Sequence, residues 1–116
     1  MNEQPRLEIE ADRDGDDVIV RLKGEVDLRS SPDLRRRLTE LVEPQAPKLV
    51  IMDLSGVDYV DSSGVGTIVE LKRRALRTGG DVVLVGLQPR VRSVFEITRL
   101  DKFFKIAKSI DEARQA

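Results

Sequence analysis

Near the start of the chain, Leu7, Ile9 and Ala11 alternate with Glu8 and Glu10, and Val18, Val20 and Leu22 alternate with Ile19, Arg21 and Lys23. An Asp14-Gly15 pair lies between the two runs. Period-two patterning around an Asp-Gly turn predicts an antiparallel hairpin with one buried face. Ser31-Pro32-Asp33 follows as N-cap, first-turn proline and early acid, the start signals of a helix. Leu34, Leu38, Leu41 and Val42 form its apolar stripe, Arg35-Arg36-Arg37 fall mostly on the wet side, and Pro44 and Pro47 bracket its exit. From Lys48 to Asp53 the alternation stops. Leu49-Val50-Ile51-Met52 is continuously apolar, so this strand is predicted to be covered on both faces and central in a sheet.

A second helix is predicted from Ser63 to Arg77, with Val65, Ile68, Val69, Leu71, Ala75 and Leu76 at helical spacing and Gly79-Gly80 as its stop. Asp81 to Val85 is another unalternating strand, and two buried strands joined by a helix make a right-handed parallel crossover. Pro89 opens a third helix with Val91, Val94, Phe95 and Thr98 on one face. Phe104 to Ala107 suits a short last strand, and Ser109-Ile110-Asp111-Glu112 is a capping box opening a short final helix. With no repeat, low-complexity segment or linker, residues 1–116 are expected to form one α/β domain led by a flexible stretch over 1–5.

Composition removes much of the usual chemistry. The 116 residues include no Cys, His or Trp, which excludes disulfides, thiolate zinc, a Ser-His-Asp triad and His-ligated metal. Lys and Arg number 20 against 21 Asp and Glu, without the basic excess of a nucleic-acid-binding domain. The longest apolar run, Val82 to Leu87, is far too short to span a membrane. Met1 to Pro5 lacks the pattern of a signal peptide. The expectation is a cytoplasmic protein with no cofactor, no metal and no direct contact with nucleic acid or membrane; no oligomeric state is read from the sequence.

Asp12, Asp14 and Asp16 have the first spacings of a calcium loop, but Asp17 replaces its turn glycine and Lys23 its bidentate Glu. The more informative stretch is Asp53-Leu54-Ser55-Gly56-Val57-Asp58-Tyr59-Val60-Asp61-Ser62-Ser63-Gly64-Val65-Gly66. It joins a central strand to a helix, where open α/β sheets place their ligand sites. As a nucleotide loop it fails, because Val69 stands at the third glycine position and there is no Gly-Lys-Ser/Thr. As a phosphoacceptor site around Asp53 it lacks the acidic pair after the first strand. Mg²⁺ between Asp53, Asp58 and Asp61 would have no nucleophile or base beside it. Ser62 and Ser63 sit where a side-chain oxygen caps free helix N–H groups, and this reading leaves a bare N-cap or a regulatory serine.

Three segments together resemble the anti-sigma factor antagonists, bacterial STAS-domain proteins. They are Gly24-Glu25-Val26-Asp27, the run from Asp53-Leu54-Ser55 through Asp61-Ser62-Ser63-Gly64-Val65-Gly66, and Ile97-Thr98-Arg99-Leu100-Asp101-Lys102-Phe103-Phe104. The resemblance implies a STAS-like mixed sheet of about four to five strands, an N-terminal hairpin beside central parallel strands, with about four helices. It implies a non-enzyme that binds an anti-sigma factor with serine kinase activity, releases the sigma factor, is switched off by phosphorylation at Ser62 and is reset by a serine phosphatase. The alternative is a STAS scaffold or small-ligand or nucleotide sensor that is never phosphorylated. Arg99 departs from the family's usual Gly after the Thr and loses the easy left-handed backbone there.

Around Ser62, the same resemblance makes Asp27, Asp58, Asp61, Ser63, Gly64 and Gly66 phosphosite-supporting or partner-binding. Asp61 either positions the Ser62 hydroxyl or bonds the loop backbone as an Asx turn. Gly64 and Gly66 allow close approach of a partner backbone, or a tight turn. Asp27 belongs to the partner surface, or caps the loop into the first helix. Lys72, Arg73, Arg74 and Arg77 are spread around their helix, reading first as a solvated face and second as a site for an acidic patch.

Overall fold

In the computed structural model, which describes residues 6–43 and 46–115, β1 (Leu7–Asp14) and β2 (Asp17–Val26) form the expected antiparallel hairpin. Gly15 takes the left-handed backbone of its turn at φ +63°. Residues 1–5 and Pro44, on which two expectations rest, lie outside the described residues. After the hairpin come α1 (Ser31–Val42), β3 (Leu49–Val60), α2 (Ser62–Arg77), β4 (Asp81–Val85), α3 (Pro89–Ile97), β5 (Lys105–Ala107) and α4 (Ile110–Gln115). The five strands make one sheet in the order β1-β2-β3-β4-β5, antiparallel at β1–β2 and parallel thereafter. This is the α/β mixed sheet with four helices that the pattern implied.

The core lies mostly on one face. Leu34 and Leu38 of α1, Ile68 and Leu71 of α2, and Val91 and Phe95 of α3 pack over Val20, Val50, Met52 and Leu84 of the strands. Phe95 meets Phe104 edge to face, with ring centroids 5.7 Å apart, a favoured aromatic geometry. On the other face α4 is the cover: Ala113 and Ile110 close over Ile51, Val83 and Val85. Burial on both sides explains why β3 and β4 read as unbroken apolar runs. Ile19 is also buried on this second face, so β2 is less one-sided than its alternation suggests.

Four boundaries and placements differ from the sequence expectation. β3 runs on to Val60 instead of ending at Asp53, because it keeps pairing with β2 up to Val26 through two register shifts. Each shift places an extra residue on β3, so Leu54, Val57 and Val60 point inward at every third position; bulges turn a strand in this way. α1 is capped at Ser30, not Ser31. Thr98 closes α3 as its exposed C-cap. Lys72 is not on a solvated face: its side chain is 7% exposed, with Nζ 2.5 Å from Asp81 Oδ1. Its ammonium also lies 5.4 Å from the centre of the Phe103 ring.

Candidate functional site

The crossover from β3 into α2 is built on Asp61. Its backbone N–H donates to the Val26 carbonyl, tying the end of β3 to the end of β2 (3.1 Å). Its carboxylate accepts from two amides: Oδ1 from the Gly64 N–H at 3.0 Å and Oδ2 from the Leu28 N–H at 3.1 Å. Asp61 is therefore the N-cap of α2, in extended backbone (ψ −175°), satisfying one of the helix's orphan donors. Neither Ser62 nor Ser63 is the cap. Of the two roles open to Asp61, this geometry realises the backbone one.

Displacement by one position puts Ser62 at the first residue of the helix, exposed, with its hydroxyl in no hydrogen bond among the described residues. The free amides at the start of α2 and the helix dipole make this a place that tolerates negative charge. Ser63 is half-buried, and its carbonyl accepts from the Thr67 hydroxyl at 3.1 Å. The two glycines of the motif separate. Gly64 is buried, and a Cβ there would collide with the Val26 carbonyl oxygen, so the close approach it permits is within this chain. Gly66 is exposed and faces open space.

Asp27 closes the same end of the sheet from β2. Its Oδ1 accepts from the N–H groups of Arg29 and Ser30, both at 3.0 Å. Its carbonyl accepts from the Ser31 hydroxyl at 2.6 Å, and Arg6 lies 3.7 Å from Oδ2. Burial pushes the Asp27 carboxyl up, but the backbone hydrogen bonds from Ser30 and Arg29 and the Arg6 charge outweigh it and hold the group below its ordinary range. This is a loop cap in full. The loop carries Leu28, 70% exposed, pinned beside Ser62 through Asp61. Asp58 and Tyr59 are exposed on the last turn of strand before it.

Asp53 does not join this group. Its Oδ1 caps the Ser55 N–H at 2.9 Å, lower on the strand. Among the described residues no three Asp or Glu side chains are placed to hold a metal ion. The hairpin acids are likewise paired with cations: Asp12 with Arg21, Asp14 with Arg114 and Asp16 with Lys48.

The model of the STAS domain family matches residues 8–113. This chain is a STAS-domain protein. Its relatives include the anti-sigma-B factor antagonist of Bacillus subtilis (strain 168), 31% identical over 101 residues, covering 87% of this chain and 91% of that protein. Among solved structures, an anti-sigma factor antagonist from Mycobacterium paratuberculosis superposes with a TM-score of 0.84 at 23% identity, covering 94% of this chain and 92% of that one. The Bacillus cell fate determinant SpoIIAA in its phosphorylated form shares the fold at a TM-score of 0.73 and 24% identity, covering 93% of this chain and 97% of that one.

The third segment of the resemblance holds its turn despite Arg99. In this STAS domain Arg99 takes the left-handed backbone itself, at φ +61°. The Leu100 N–H reaches the Phe95 carbonyl at 2.7 Å and the Arg99 N–H the Glu96 carbonyl at 3.0 Å. That pair of bonds is a Schellman cap, normally supplied with glycine at this position. Leu28 and Tyr59, both beside the motif, were not singled out from the sequence. The available signal was an apolar residue within the polar run Asp27-Leu28-Arg29-Ser30-Ser31, at a position no helix or strand period uses.

Proposed function

We propose that this STAS protein is an anti-sigma factor antagonist whose binding is switched by phosphorylation of Ser62. The observation that carries the reading is the placement of Ser62: an exposed, unbonded hydroxyl at the first position of α2, on a rim whose backbone is locked by Asp61 and Asp27. The curated relative named above is an anti-sigma-B factor antagonist, and a fold relative is known in a phosphorylated form. The partner is an anti-sigma factor with serine kinase activity, which transfers the γ-phosphoryl group of ATP to Ser62 Oγ as the hydroxyl proton leaves. A serine phosphatase hydrolyses the phosphoester and resets the switch. The protein works in the cytoplasm and supplies no catalytic group of its own.

Physically, the phosphate adds about −1.5 to −2 charges at pH 7. It sits next to Asp61, whose carboxylate holds the loop that carries the exposed Leu28. Like-charge juxtaposition in an interface costs several kcal/mol, and about 1.4 kcal/mol is tenfold in affinity. Binding can therefore be abolished while the fold stays intact. Titration calorimetry against the cognate anti-sigma factor tests this. Ser62→Ala should bind as tightly as the unmodified chain and Ser62→Asp roughly 100-fold more weakly, with mass spectrometry placing the kinase-dependent phosphate on Ser62. Equal affinity of Ser62→Asp and the parent, or a phosphate elsewhere, would overturn the reading.

A further inference from the structure

The sheet ends at β1 on one side and at β5 on the other, and among the described residues no strand flanks β1. Exposed edges are usually blunted by shortness, proline, a bulge or charge. β5 is three residues long, whereas β1 has eight, contains no proline and pairs with β2 without a register shift. Its protection is charge alone. The hairpin closes on the Asp14–Asp17 pair, and the Glu25 N–H donates to the Arg6 carbonyl at 2.9 Å. Antiparallel pairs alternate between bonded and unbonded, so Glu8, Glu10 and Asp12 direct their backbone groups to β2. Leu7, Ile9 and Ala11 direct theirs outward, where they meet no backbone partner among the described residues.

The two rows of side chains along this edge differ. Toward the helix-covered face, Leu7 is buried, while Ile9 and Ala11 are only partly covered by the core. On the other face Glu8, Glu10 and Asp12 are all exposed. The cations on that face lie one strand further in. Arg21, opposite Glu10, is 3.0 Å from Asp12, and Lys23 is opposite Glu8. Arg6 is turned to Glu25 and Asp27, Arg13 reaches the Leu41 carbonyl of α1, and Asp14 is held by Arg114. A strand beyond β1 would lie about 4.8 Å from the acidic row and roughly 10 Å from Arg21 and Lys23. It therefore meets negative charge first. Glu8 and Glu10 also line a depression of about 230 Å³ with Lys23, Asp53 and Ser55, which leaves room for long side chains.

We propose that the β1 edge docks an extended segment of a partner protein in which basic and apolar residues alternate. The segment adds a strand to the sheet, its backbone bonding to Leu7, Ile9 and Ala11. Its basic side chains lie beside Glu8 and Glu10, and its apolar ones cover Ile9 and Ala11. Strand addition takes affinity from main-chain hydrogen bonds and specificity from alternate side chains. A second copy of this chain does not fit. Antiparallel self-pairing through the outward groups sets even-numbered residues opposite even-numbered ones, so Glu8, Glu10 and Asp12 would face their own kind, which destabilises a pair of strands. The same acids thus reject copies and select a basic strand. This surface is separate from Ser62, and its assignment does not rest on the phosphorylation reading.

The probe is a synthetic peptide of alternating lysine and valine, added to the full chain and followed by amide hydrogen exchange. Protection should rise about tenfold or more at the Ile9 and Ala11 amides, and much less at Glu10, which is already bonded to β2. An alternating glutamate–valine peptide, and a peptide of the same lysines and valines in two blocks, should leave these amides unchanged. Glu8→Lys/Glu10→Lys should weaken the lysine–valine peptide by about tenfold or more. A second measurement leaves the protein unaltered: N-methylation of the peptide amides that face β1 should abolish binding, and methylation of the alternate amides should not. No gain of protection at Ile9 and Ala11 overturns the proposal. So does equal binding of either control peptide, indifference to Glu8→Lys/Glu10→Lys in a folded variant, or indifference to which amides are methylated. Protection at Ile9 and Ala11 that rises with protein concentration alone would put a second copy on the edge and overturn it too.

Discussion

Both carboxylate oxygens of Asp61 are committed to backbone amides, and that decides what its replacement does. Asp61→Ala should cost about 1–2 kcal/mol, the range for losing an N-cap, and should loosen the Leu28 loop as well; Asp61→Asn keeps one acceptor and should lose less. Urea unfolding gives the energies, and amide exchange at Leu28 and Gly64 tests the mechanism: unchanged protection there in Asp61→Ala would refute it. The glycines separate in the same experiment. Gly64→Ala drives a methyl into the Val26 carbonyl and should destabilise by about 1–3 kcal/mol. Gly66→Ala, in open space on a helix, should stabilise by roughly 0.5–1 kcal/mol. These distinctions were not legible in Asp61-Ser62-Ser63-Gly64-Val65-Gly66, because Asp and Ser are equally good caps. Only the pairing of Asp61 with Val26 and Leu28, more than thirty residues upstream in sequence, fixes the frame.

Elements show where local pattern stops being informative. β4 and the core of β3 were plain from their unbroken apolar runs, whereas Leu54 to Val60 read as a loop because two bulges convert a period of two into three. Lys72 departs from its expected solvated face for a related reason. Helical spacing identifies its side of α2, but its partner Asp81 begins the next strand and the aromatic roof arrives later still, at Phe103 and Phe104. Burial pushes the Asp81 carboxyl up, and the Lys72 hydrogen bond, the Val82 N–H and the nearby ammonium charges more than reverse it, leaving its pKa below the ordinary value. A group with a depressed folded-state pKa stabilises fully at neutral pH and loses that contribution as pH falls through the folded value, from about pH 4 downward. Asp27 titrates with the same sign. Asp81→Asn should cost about 1–3 kcal/mol at pH 7 by leaving a buried ammonium short of its counter-charge. Its deficit in urea midpoint relative to the parent should shrink by pH 3. A deficit constant across that range would mean that the pair is not what links acid and stability.

For the molecule as a whole, the sheet order brings the end of β2, the end of β3 and the start of α2 to one rim, and every contact that shapes the rim is made by backbone or capping groups other than the Ser62 hydroxyl. Ser62, the residue proposed as the switch, is therefore mechanically detached from the scaffold that presents it. Phosphate at the first residue of the 16-residue α2 gains about 0.3–1 kcal/mol from the helix dipole and free amides, while the Asp61 carboxylate one residue before it, its charge already shared with two backbone amides, opposes it by a similar amount. The two effects nearly cancel. Stoichiometrically phosphorylated protein should melt within about 5 °C of the unmodified form, since about 1 kcal/mol corresponds to roughly 4–8 °C in a domain near this size. Its amide shifts should change around Leu28, Tyr59 and residues 61–66 and leave the Lys72–Asp81 end of α2 unmoved. A change that reached Lys72 and Phe103 would join the two ends of the helix into one responsive unit, and phosphorylation would then act through the fold instead of through the charge it places on the rim.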